Sequence, residues 1–125
     1  MINLNNTDLT TNMLYQNFTL PKGDSLTFKL TLVDAESAPD NIYLTVKKNS
    51  QDSTLTLQKY IGNGITRTED EGIVYEVYIP ATETEKLELL NYVYGIKIVY
   101  GSEENTEVEG KIVITPERTS TAEED

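Results

Sequence analysis

The chain has 125 residues, with 10 Lys+Arg against 21 Asp+Glu, a formal net charge of −11, and no histidine, cysteine or tryptophan. Without His and Cys there is no Ser-His-Asp or Cys-His nucleophile, no thiolate redox centre, no disulfide, and no zinc or haem site on nitrogen and sulfur ligands; no cofactor is expected. So acidic a chain repels phosphate backbones and anionic lipid, so neither nucleic acid nor a membrane is an expected partner.

The length suits one domain with a real core. No stretch approaches the ~18–20 apolar residues of a membrane helix, and Met1 to Asn6 lacks the basic start and apolar run of a signal peptide, which predicts synthesis in the cytosol. In chain order, residues 1–13 are rich in Asn and Thr and read as a flexible arm, either fraying or a strap that orders on a neighbour. A strand candidate from Leu14 to Leu20 is stopped by Pro21-Lys22-Gly23-Asp24. Leu26, Phe28, Leu30 and Leu32 then alternate with Ser25, Thr27, Lys29 and Thr31, the period-2 pattern of a half-buried strand. Ile42-Leu44-Val46 and Leu55-Leu57 repeat it, and Gly62-Asn63-Gly64 lacks the Lys-Ser/Thr of a phosphate loop, so it reads as a turn permitting positive φ.

Ile73, Tyr75, Val77 and Ile79 form the next alternating set, with Val74, Glu76 and Tyr78 on the opposite face. Thr82 to Leu90 breaks the period. Thr82 and Glu85 have capping-box spacing, which predicts a short helix over 82–90. The following Tyr92 is placed to anchor the crossing by bonding back to the backbone, as in a tyrosine corner, or is simply a half-buried strand aromatic. Tyr92-Tyr94-Ile96-Ile98-Tyr100 and Val108-Gly110-Ile112-Ile114 flank a hairpin loop at 101–105, and 116–125 reads as an acidic disordered tail. About seven strands at this spacing predict an all-β fold, an immunoglobulin-like antiparallel β-sandwich over 14–115.

Carboxylates are the remaining catalytic material. Glu69-Asp70-Glu71 and Glu103-Glu104 fall in predicted turns, where acids are solvated and a small domain lacks the walls of a sugar cleft. The calcium-loop pattern D-x-[DN]-x-[DN]-G is absent. The expectation is a protein that is not an enzyme, with no catalytic, cofactor or metal residues. Surface chemistry is left. Eight tyrosines against two phenylalanines suit surfaces that are dry at one end and wet at the other. Val93, Gly95, Lys97 and Val99 face away from the apolar side of their strand, so if strands 73–79 and 92–100 share a sheet, Val74, Tyr78, Val93 and Val99 form a candidate interface. Scattered exposed apolar side chains are the alternative.

The order of motifs carries a resemblance. Leu20-Pro21-Lys22-Gly23-Asp24-Ser25-Leu26-Thr27-Phe28, Thr45-Val46-Lys47-Lys48 and Gln58-Lys59-Tyr60-Ile61-Gly62-Asn63-Gly64-Ile65 make up its first half. Tyr78-Ile79-Pro80-Ala81-Thr82-Glu83-Thr84, Tyr92-Val93-Tyr94-Gly95-Ile96-Lys97-Ile98 and Glu109-Gly110-Lys111-Ile112-Val113-Ile114-Thr115-Pro116-Glu117-Arg118-Thr119 make up the second. Together, from about Leu20 to Thr119, they resemble small tailed-phage virion proteins with an immunoglobulin-like domain, the type found at the N-terminus of baseplate upper proteins. The resemblance implies a structural or accessory protein of the virion that binds other virion proteins in multiple copies. Baseplate proteins continue into helical and receptor-binding segments where this sequence ends at Asp125, so a baseplate, capsid or fibre-anchoring position stays open. A carbohydrate- or host-surface-binding β-module is the alternative from another class, with no Trp to serve as its stacking platform.

Overall fold

A computed structural model describes the backbone of residues 2–4 and residues 14–33 and 35–117. The predicted arm, apart from that backbone, and the predicted tail beyond 117 lie outside the described residues. The elements follow the alternating runs. Strands β1 (Ile2–Leu4), β2 (Leu14–Tyr15), β3 (Phe18–Pro21), β4 (Leu26–Leu32) and β5 (Asn41–Lys47) come first. After them come β6 (Leu57–Ile61), β7 (Gly64–Arg67), β8 (Val74–Ile79), helix α1 (Ala81–Thr84), β9 (Asn91–Tyr100) and β10 (Glu103–Thr115). The fold is mostly β, one sheet in the order β1-β4-β8-β7-β6-β5-β9-β10-β2, with β3 also on β10.

That sheet curls on itself. Leu30 and Val77, from one end of the order, share a core with Ile42, Ile96 and Val108 from the other, all fully buried. Phe18 of β3 stacks on Phe28 of β4 with ring centroids 4.9 Å apart, although their strands lie near opposite ends of the order. Each such side chain contributes about 1.5–3 kcal/mol by leaving water, so the inward positions of the alternating runs hold the curl closed.

Several expectations are corrected. The sheet is mixed, since β10 runs parallel to β2 and β3, and β6 pairs in parallel with β7 over two residue pairs. Alternation assigns a face to each residue but carries no information on strand direction. The turn at Gly62-Asn63-Gly64 has φ of 96° at Gly62 and 90° at Gly64, and there the chain passes from β6 to β7. Leu55 is exposed and lies before the strand rather than in it: β6 begins at Leu57, and the chain first joins β5 where the Thr56 N–H donates to the Val46 carbonyl. The loop at 101–105 shrinks to Gly101-Ser102, since β10 starts at Glu103, and the register shifts between Thr106 and Val108.

The helix is shorter than the predicted 82–90. It spans Ala81–Thr84 behind Pro80 and has no side-chain cap, so the Thr82–Glu85 box does not form. Tertiary bonds take over. The buried Thr84 hydroxyl lies 2.7 Å from the Asp24 carbonyl oxygen and 3.1 Å from that of Ala81. Leu87 turns into the core, and the Tyr92 hydroxyl accepts the N–H of Glu88 at 2.8 Å. The buried Lys59 of β6 ties this corner to the sheet, its ammonium 2.7 and 2.8 Å from the two carboxylate oxygens of Glu83. Among the described residues no helix is long and apolar enough to cross a membrane.

Candidate functional site

The predicted interface does not come together. Val74 is buried, at 5% exposure, because it sits inside the sheet between β4, where it pairs with Thr31, and the chain leaving β7, where its carbonyl accepts the Thr68 N–H. Tyr78 is exposed on β8, while Val93 and Val99 are half-buried on β9. Strands β7, β6 and β5 intervene between β8 and β9, so Tyr78 shares no face-to-face row with Val93 or Val99. The chain between β8 and β9 passes through α1, which carries it from one end of the sheet order toward the other.

Two of the four residues nevertheless lie on a surface of interest. Strand β9 is sandwiched between β5 and β10, and its outward residues set a series of cross-strand rows. Lys47, Val93 and Lys111 form one row; Thr45, Gly95 and Glu109 form the next; Tyr43, Lys97 and Thr106 form the third. The central position of this grid has no side chain. Above Gly95 opens a groove of about 700 Å³, within the size range of small-ligand sites.

One wall of the groove is the jog between β2 and β3. Gln16 donates its N–H to the Glu109 carbonyl at 2.9 Å, the Lys111 N–H donates to the Asn17 side-chain oxygen at 2.8 Å, and the Tyr94 hydroxyl donates to the Gln16 carbonyl at 2.6 Å. The jog passes so close to β10 that a Cβ on Gly110 would lie 1.9 Å from the Gln16 carbonyl oxygen. Glycine is therefore a steric requirement at 110. Gly95 differs. A Cβ there meets nothing closer than 3.7 Å, and its φ lies outside the left-handed region. Glycine weakens a strand interior through backbone entropy and lost packing, and in a strand it often marks close approach of a ligand or another backbone. Among the described residues nothing requires the glycine at 95.

The groove is also an electrostatic exception. Among the described residues its lining contains Lys47, Lys97 and Lys111 against the one carboxylate of Glu109, on a chain of net charge −11. Lys97 makes an exposed 3.4 Å contact with Glu104, of the solvent-screened kind that contributes little. Lys47 and Lys111 have no carboxylate within salt-bridge distance among the described residues. Tyr15 stands at the rim, 72% exposed, opposite Glu109 in the parallel β2–β10 pair.

The acidic turns make no comparable site. Asp70 pairs with Lys29 at 2.8 Å and accepts the Thr68 hydroxyl, and the bond from Lys29, followed by that from Thr68, holds its carboxyl below the usual carboxylate range. Glu104 is the partner of Lys97, and among the described residues no cluster of three or more acids could hold a metal ion. The sequence reading placed Gly95 and Lys97 on the outward face but missed Lys47, Lys111 and Tyr15. The signal that points to them is an unexplained glycine at the centre of a strong strand; their convergence on it depends on the pairing of β5 and β10 with β9 and of β2 with β10. Comparison with protein-family models and with curated proteins finds no match to this chain.

Proposed function

We propose that this chain is a non-enzymatic immunoglobulin-like structural or accessory protein of a bacteriophage virion, working through protein–protein contacts with other virion proteins. The observation that supports the immunoglobulin-like part of this reading is the bond between the Tyr92 hydroxyl and the Glu88 N–H. A tyrosine near the start of a strand, bonded to backbone just upstream at the crossing between two strand groups, is a hallmark of immunoglobulin-like sandwiches. The groups β4-β8-β7 and β5-β9-β10, joined by that crossing and by the β6–β7 corner, agree with a sandwich of this kind. The motif order resembling tailed-phage proteins supports the placement in a virion.

Many copies on a particle make weak contacts strong by effective concentration. Mass spectrometry of purified particles of the phage that encodes the chain tests the proposal: the chain is expected at many copies per particle, and its absence from washed particles refutes a virion role. A second reading, a carbohydrate- or host-surface-binding module, is favoured by the groove over Gly95, whose lining mixes ammonium, hydroxyl, amide and carboxylate groups beside an exposed tyrosine.

A further inference from the structure

We propose that the groove over Gly95 binds an anionic oligosaccharide, its acidic groups held by Lys47, Lys97 and Lys111. This deepens the surface-binding reading and rests on it. It holds whether or not the chain is mounted on a particle.

The shape of the site argues against a peptide strand. Strand β9 is paired along both edges, with β5 and with β10, so no free backbone edge is offered there for strand addition, and recognition has to come from outward side chains. Those side chains are of the kinds a polyol needs. The Thr45 hydroxyl accepts the Gln58 amide at 3.0 Å and keeps its own O–H to donate, and Glu109 supplies an acceptor for ligand hydroxyls. The Thr106 methyl approaches the Gly95 position, while the exposed Tyr15 ring stands at the rim as an apolar platform. The cleared position at Gly95 lets a ring settle against the sheet between them.

Charge selects the class of sugar. Among the described residues the lining carries a net charge of +2, on a chain of −11, an arrangement that a neutral ligand does not need and a carboxylate- or phosphate-bearing one does. Lys47 and Lys111 flank Val93 in one row, which puts their Cα atoms about 10 Å apart at the usual strand spacing. Lys97 lies four residues along β9 from Val93, roughly 13 Å at strand rise. Such spacing is wider than one sugar ring, so the three ammonium groups address successive units of a chain rather than chelating one acid.

The test is an amide-shift titration of the full chain with hexagalacturonic acid, with maltohexaose and a hexaglutamate peptide as neutral and non-sugar controls. The proposal expects shifts centred on Val93–Lys97 and Thr106–Lys111 with the oligouronate, and binding at least tenfold weaker to both controls. Lys47→Gln with Lys111→Gln should weaken oligouronate binding at least tenfold while leaving the melting temperature in place. Gly95→Val should abolish binding while the fold becomes no less stable, a combination that a structural glycine would not give. Equal binding of hexaglutamate would show only non-specific attraction of acids and overturn the proposal. Tighter binding of maltohexaose would overturn the anionic class while preserving the carbohydrate reading. Absence of shifts at these residues with either sugar would overturn both.

Discussion

Gly95 and Gly110 are both strand glycines, fifteen positions apart, yet their surroundings assign them opposite roles. At Gly110 the Gln16 carbonyl occupies the space a methyl group would need, so Gly110→Ala should cost about 3 kcal/mol or more as the β2–β3 jog is pushed off β10. At Gly95 the space is open, and Gly95→Ala should stabilise by about 0.5–1 kcal/mol through reduced freedom of the unfolded chain and better strand propensity. Paired urea titrations read both signs. Tyr94 adds a pH dependence. Burial pushes its phenol well above the ordinary tyrosine range. The folded state therefore favours the neutral phenol, and its contribution is fully present below pH ~10, where the unfolded chain also keeps the proton. It is lost as pH rises above ~10, because the unfolded chain then releases the proton more readily than the folded one. Tyr94→Phe should flatten this alkaline loss in melts taken between pH 9 and pH ~11, while a slope equal to that of the parent would contradict the assignment.

The chain between β8 and β9 shows how tertiary bonding overrides a local signal. Thr82 and Glu85 have the spacing of a capping box, yet the helix ends at Thr84 because the Glu88 N–H is claimed by Tyr92 and Leu87 is drawn into the core. Tyr92→Phe leaves that amide without its partner in a half-buried corner and should cost about 1–2 kcal/mol, measurable as a lower urea midpoint at unchanged m-value. The inward faces of β4, β5, β8 and β9 were legible because alternation needs only the residues of one strand. Register was not. That Val74 lies between neighbouring strands, and that Tyr78 lies far in sheet order from Val93, are properties of strand order, which period-2 patterning does not encode. The groove was half legible for the same reason: Gly95 and Lys97 belong to one strand, whereas Lys47 and Lys111 meet them only through pairing.

For the molecule as a whole, charge governs how copies meet. At −11 each, copies repel over a Debye length of ~10 Å at 0.1 M salt, and assembly through apolar or uncharged contacts should strengthen as salt rises from low to moderate concentration. Light scattering across a salt series reads this directly; dissociation with rising salt would instead mean an acidic face seated on a basic partner. The groove behaves in the opposite sense, since its lysines attract acids and lose that attraction as salt screens them. Contacts between copies and ligand capture thus respond to salt with opposite signs, which separates the two activities in one preparation. The most direct measurement of the proposed virion role is a cryo-electron-microscopy map of the intact particle. It should show compact curled-sheet density of 14.1 kDa units, repeated on the tail tip, the capsid or its fibres and fitted by this fold. A particle map in which every protein density is accounted for without this chain would contradict the account.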